Sequence, residues 1–117
     1  MKIISVRTRR VGDAPWVALS GELDISTAPE VERELARLDR QDPPRVVVDM
    51  RDLTFIDSTG LRIILAADSR ARRAGRQLQI VPGPPSVHRV FRIALLDKRL
   101  DFVDESAARE EEHERAD

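Results

Sequence analysis

Residues 55–64, Phe-Ile-Asp-Ser-Thr-Gly-Leu-Arg-Ile-Ile, set a carboxylate and two hydroxyls, Asp57, Ser58 and Thr59, between a run with strand character and a run with helical character. A helix beginning here offers unpaired N–H groups and the positive end of its dipole, which favour an oxygen or anion by roughly 0.3–1 kcal/mol at an exposed site. Asp57 and Ser58 both suit the N-cap, and capping alone makes no functional site. Two features add to it. The turn follows the carboxyl end of a strand predicted to be central, where open α/β sheets place functional groups. Asp24, closing Ser-Gly-Glu-Leu-Asp, would flank Ser58 together with Asp57 if their strands are neighbours; its alternative is a local cap ahead of Ser26 and Thr27. Thr59 suits a first-turn cap. Gly60 leaves the turn uncrowded, either for close approach of another protein or for packing, and Arg62 projects outward beside the motif.

The same residues exclude other chemistries. A nucleophilic Ser58 would need a positioned base, and the chain's two histidines are His88, on a predicted helix beside Arg89, and His113, in a charged tail. No nucleophile elbow, phosphate-binding loop or metal-ligand spacing is present, so no catalytic residue, cofactor or metal is expected. Cysteine is absent, which removes disulfides and thiolate metal sites. Aromatics are 3% of the 117 residues, too few for stacking single-stranded nucleic acid. A formal net charge of −1 gives no overall field toward polyanions or an anionic membrane. Arg70, Arg72, Arg73 and Arg76 cluster where a helix should end, and cations there complement its dipole. Direct nucleic-acid contact is not expected. The chain opens without the apolar stretch of a signal peptide and has no run long enough to span a bilayer, so a soluble cytoplasmic protein is expected.

The elements that must position the motif follow from hydrophobic periodicity. Ile4, Val6 and Thr8 alternate with polar neighbours, and Gly12-Asp13 supplies turn chemistry before Trp16 to Leu19, so a hairpin is predicted, with Trp16 as an edge or core anchor. Ala28, Val31, Leu35 and Leu38 recur at helical spacing behind a Thr27-x-x-Glu30 capping box, with Pro29 in the first turn. Arg-Val-Val-Val-Asp-Met, 45–50, has the pattern of a strand buried on both faces. Leu61, Ile64, Ala67, Ala71 and Ala74 form one face of a helix from Ser58 to Arg73, with Gly75 as its stop. A strand over 77–81, a proline-led helix burying Val87, Val90, Phe91 and Ala94, and a last strand in Arg-Leu-Asp-Phe-Val-Asp complete the pattern. Strands alternating with helices imply parallel pairing, and the hairpin adds an antiparallel pair, giving a small single-domain α/β layer fold with a mixed sheet.

Three stretches, "SGELDISTAPEVERELARL", "VVVDMRDLTFIDSTGLRIILAA" and "PPSVHRVFRIALLDKRLDFVD", resemble the STAS domain, in particular the bacterial anti-sigma-factor antagonists. The resemblance implies a STAS domain over residues 1–104, with about five strands covered by about four helices. Residues 105–117 are then a charged tail, expected as a frayed helix or disordered. It also implies a partner switch: the unmodified protein binds an anti-sigma factor that is also a serine kinase and so frees the sigma factor, while phosphorylation breaks the complex. The family's phosphorylated residue, the serine after the motif's aspartate, corresponds to Ser58, with phosphorylation of the neighbouring Thr59 hydroxyl as the alternative to that residue's role as a cap. ATP would be bound by the kinase, and a phosphatase would reset the switch. Arg62 departs from the small residue often found there, which bears on how a kinase docks. The alternative is a STAS scaffold or accessory subunit of a sensory complex or lipid transporter, without kinase-driven release.

Overall fold

The hairpin predicted at the start is formed by β1 (Ile4–Val11) and β2 (Ala14–Leu23), which pair antiparallel. The computed structural model describes residues 3–115. After α1 (Ala28–Gln41) come β3 (Arg45–Ile56), α2 (Ser58–Arg73), β4 (Gln77–Val81), α3 (Pro85–Ile93), the two-residue β5 (Asp101–Phe102) and α4 (Glu105–Arg115). The strands form one mixed sheet in the order β1-β2-β3-β4-β5, parallel from β2 onward, so β3 is central as its apolar run requires. The fold is the expected α/β layer structure of five strands and four helices.

Alternation along the strands sends two sets of side chains to opposite faces. Val17 and Leu19 of β2, Val46, Val48 and Met50 of β3, and Leu78 and Ile80 of β4 pack in one cluster with Val31, Leu35 and Leu38 of α1, Ile64 and Ala67 of α2, and Val87 and Phe91 of α3. Two register irregularities between β2 and β3 allow Leu53 and Ile56, three positions apart, to enter this core as well. The expected α2 and α3 faces are thereby borne out at most positions, while Ala74 and Ala94 are exposed because each is the C-cap of its helix. Gly75, at φ 72°, follows α2 in the left-handed conformation that suits its predicted role as the stop.

The other face is smaller. Val11, Trp16, Val47 and Val81 gather with Ala108 of α4, and the partly buried Val103 packs against them. Here lies the buried carboxylate of Asp49, which accepts from the Trp16 indole N–H at 3.2 Å, from the Arg51 backbone N–H at 3.0 Å and from the Arg51 guanidinium at 2.6 Å. Burial pushes the Asp49 carboxyl upward, but these donors outweigh it and hold the group below the usual carboxylate range.

Thr27 was expected to cap α1 through a capping box with Glu30. It occupies the N-cap position, but its hydroxyl donates to the Glu22 carbonyl at 2.7 Å and accepts from the Asp24 N–H at 3.0 Å, so the box does not form. His88 of α3 packs edge-on against Phe102 of β5 at 4.7 Å between ring centroids.

Gly60, in the first turn of α2, has no room for a side chain: a Cβ there would lie 2.7 Å from Cγ1 of Ile56 and 2.9 Å from Cγ of Leu23. Gly60→Ala should destabilise the fold by about 1–3 kcal/mol, the usual range for overpacking, seen as a lower urea midpoint with an unchanged slope; an unchanged or higher midpoint would contradict this packing. Because the folded-state value for Asp49 lies below the unfolded one, its stabilisation is fully present above about pH 4 and is lost as pH falls through the folded value. Asp49→Asn should flatten the acid-side loss of stability below about pH 4, measured by urea midpoints against pH; equal acid slopes would show that Asp49 contributes none of it.

Candidate functional site

The parallel pairing of β2 and β3 brings the two sequence motifs to one end of the sheet. Leu23 pairs with Ile56, and the Asp57 N–H donates to the Leu23 carbonyl at 3.2 Å, so β2 and β3 end side by side and lead into α1 and α2. Asp57 is the N-cap of α2. One carboxylate oxygen, Oδ1, accepts from the Thr59 N–H at 3.0 Å and the Gly60 N–H at 3.1 Å, which satisfies two of the four N–H groups that an α-helix leaves open. Capping is thus done by Asp57. Thr59, expected as a first-turn cap, makes no cap bond through its hydroxyl.

Ser58 is the first residue of α2 and is exposed. Its hydroxyl makes no hydrogen bond with a described residue, so it has no structural task among them. Asp24 lies at the same end of the sheet but is 3% exposed, and its Oδ1 accepts from the Ser26 N–H at 2.9 Å, the Ser26 hydroxyl at 2.6 Å and the Thr27 N–H at 3.3 Å. Of the two roles open to it, the local cap ahead of α1 is the one the geometry supplies. Gly60 serves packing, as its surroundings require. Arg62, one helical turn beyond Ser58, is exposed and makes no ion pair with a described residue; it lines a shallow groove of about 350 Å³ with Thr59, Ile63 and Ala66 of α2 and Glu32 of α1.

Periodicity did not reveal the apolar rim of this end. Ile25 is 76% exposed directly after Asp24, Phe55 is 41% exposed opposite Glu22, and Ile3, 65% exposed, accepts from the Glu22 N–H through its carbonyl. Ile3 precedes β1, Ile25 follows β2 and Phe55 lies near the end of β3, so all three belong to the sheet end that leads into α1 and α2. Apolar residues scattered singly on a surface carry no message, but three exposed at one end of a sheet mark a place where another protein could dock. The signal available in sequence was Ile25 between Asp24 and Ser26, an apolar residue in a polar turn. The arginines expected to sit at the end of α2 are partly engaged within the fold: Arg70 and Arg76 both donate to Asp39, at 2.8 and 3.0 Å, and Arg72 donates to the buried Asp68 at 2.8 Å.

A chain with this sheet end has known relatives. The family profile described as "Mlab, STAS domain" matches residues 6–104. The anti-sigma-B factor antagonist of Staphylococcus aureus is 33% identical over 90 residues, covering 76% of this chain and 82% of that protein. Among solved structures, an anti-sigma factor antagonist from Mycobacterium paratuberculosis superposes with a TM-score of 0.79 at 23% identity, covering 98% of this chain and 96% of that one. The Bacillus cell fate determinant SpoIIAA in its phosphorylated form superposes with a TM-score of 0.69 at 18% identity, covering 91% of this chain and 97% of that one. Motif, sheet order and relatives agree: the chain belongs to the STAS domain family, among the anti-sigma-factor antagonists.

Proposed function

We propose that this protein is a partner switch: unphosphorylated, it binds an anti-sigma factor that is also a serine kinase and so releases the sigma factor, and a phosphate placed on Ser58 by that kinase ends the complex. The observation that carries the reading is an exposed hydroxyl, unbonded among the described residues, at the start of α2, on a sheet end rimmed by Ile3, Ile25 and Phe55. A partner that covers the apolar rim also covers Ser58. ATP binding then belongs to the partner, and the chain contributes the acceptor hydroxyl and the docking surface. A phosphatase returns the hydroxyl.

The physical chemistry of release is electrostatic. Phosphoserine carries about −1.5 to −2 charges at pH 7, and at position 58 it stands directly beside the Asp57 carboxylate. Against an apolar or acidic partner surface, those charges must be desolvated without compensation, which costs several kcal/mol, and each 1.4 kcal/mol is about tenfold in affinity. The fold need not respond. The N-terminus of α2 tolerates an anion, and the cap that starts the helix is made by Asp57 rather than by the residue being modified. Arg62 borders the same surface and supplies the positive group that a kinase must accommodate when it docks at this turn.

Two variants test the reading with the partner kinase in a quantitative pull-down. Ser58→Ala should stay bound in the presence of ATP, whereas Ser58→Asp should bind about a hundredfold more weakly or worse. Mass spectrometry of the unmodified chain after incubation with kinase and ATP should find the phosphate on Ser58. Equal binding by the two variants, or phosphate found only elsewhere, would remove the switch.

A further inference from the structure

Helix α4 is attached to the sheet in a different way from the other three helices. Among its described side chains only Ala108 is buried, at 4% exposure, so the apolar contact that holds α1 to α3 is almost missing here. Its hold is ionic. Arg45 of β3 forms an ion pair with Glu111 at 2.7 Å and donates to its other oxygen at 2.8 Å, Arg51 of β3 meets Glu112 at 2.9 Å, and Arg9 of β1 pairs with Glu112 as well. Packing beneath the helix is incomplete: a cleft of about 200 Å³ lies between α4 and the sheet, lined by Trp16, Val47 and Gln79 on one side and Ala108 and Glu111 on the other.

The surface below α4 is preformed without it. Arg51 is fixed by the buried Asp49, which the Trp16 indole also supports, and Arg45 donates to Gln79 of the adjacent strand. Neither arrangement involves α4. Removing the helix would leave an apolar floor of Val11, Trp16, Val47 and Val81, with Arg45 and Arg51 already oriented around it and Arg9 at its border. Preformed charged groups around an apolar floor lower the ordering cost of binding, and their sign selects the partner.

We propose that this arginine-lined strip is a second docking surface, filled by α4 in the free protein and by an acidic helix of a partner protein in its place. Charge complementarity defines that occupant: a helix with one small apolar residue followed, three and four positions later, by two adjacent carboxylates, the spacing of Ala108, Glu111 and Glu112. This surface lies on the face of the sheet opposite α1, α2 and α3, and the inference stands independently of any modification at Ser58.

Trp16, the single tryptophan of the chain and 1% exposed under α4, reports on the exchange. In the full-length chain carrying Glu111→Gln and Glu112→Gln, the cis helix loses its ionic hold, and Trp16 emission should shift to longer wavelength while the far-ultraviolet signal of the sheet is retained. Adding a designed helical peptide with the Ala-x-x-Glu-Glu spacing, otherwise unrelated to this chain, should reverse the shift at micromolar concentrations. Its affinity should fall on the order of tenfold as salt is raised across the range in which exposed charges become screened. A peptide with glutamines at the two acidic positions should have no effect. Unshifted emission in the double variant, no reversal by the acidic peptide, or a shift accompanied by dimers in light scattering, which would indicate α4 exchanged between copies, would each overturn the proposal. If the double variant does not fold, the full-length Glu112→Gln variant carries the same test at low salt: its Trp16 emission should shift to longer wavelength and the acidic peptide should reverse the shift, and failure of either would overturn the proposal.

Discussion

Asp57 is held from both sides, and the behaviour of the whole sheet end follows from that. Its N–H is bonded to the Leu23 carbonyl, which ties the end of β3 to the end of β2, and its carboxylate is bonded to the N–H groups of Thr59 and Gly60, which starts α2. Had Ser58 been the cap, a phosphate there would have removed a bond that the helix needs, and modification would have been coupled to the fold. With the cap one residue earlier, the hydroxyl is left exposed on a rigid helix end. Gly60 adds to this rigidity, since the close approach of α2 to Leu23 and Ile56 leaves no space for a Cβ. A hydroxyl that bonds to no described residue can be modified without removing a bond from the described fold.

The two faces of the sheet show how differently a helix can be attached. On one face the alternating aliphatic residues of β2, β3 and β4 meet three amphipathic helices, and burial of apolar surface holds them. On the other, a short apolar strip is bordered by arginines, and the helix that covers it is matched by glutamates rather than by leucines. Partly exposed ion pairs contribute little individually and are weakened by salt. Helix α4 is therefore the least firmly attached helix by its chemistry among the described residues.

Most of the architecture was legible in the sequence because it rests on local periodicity. The run Val46 to Met50 announces a central strand, and the spacing of Ala28, Val31, Leu35 and Leu38 announces α1 with its buried face. What could not be read there depends on partners distant in sequence. Thr27 and Glu30 have the residues of a capping box, but the Glu22 carbonyl, brought close by the end of β2, takes the hydroxyl instead. Asp49 lies inside an apolar run, and its burial makes sense only with Trp16 from β2 and Arg51 two residues on. The acidic tail has no apolar face by which to recognise a packed helix, because Arg9, Arg45 and Arg51, which hold it, lie far back in the chain. At the site, the Asp-Ser-Thr-Gly motif was visible, while the division of labour within it, with Asp57 capping, Gly60 packing, Asp24 buried and Ser58 unoccupied, required the geometry.

The most direct measurement is the affinity of the unphosphorylated and Ser58-phosphorylated chain for the proposed anti-sigma-factor partner across a salt series, with amide spectra recorded on the same samples. An electrostatic penalty acting on an unchanged fold predicts that the affinity gap narrows as salt rises from about 50 to about 500 mM, while chemical-shift changes stay confined to the turns after β2 and β3. A gap indifferent to salt, or shift changes spread through the sheet, would contradict it.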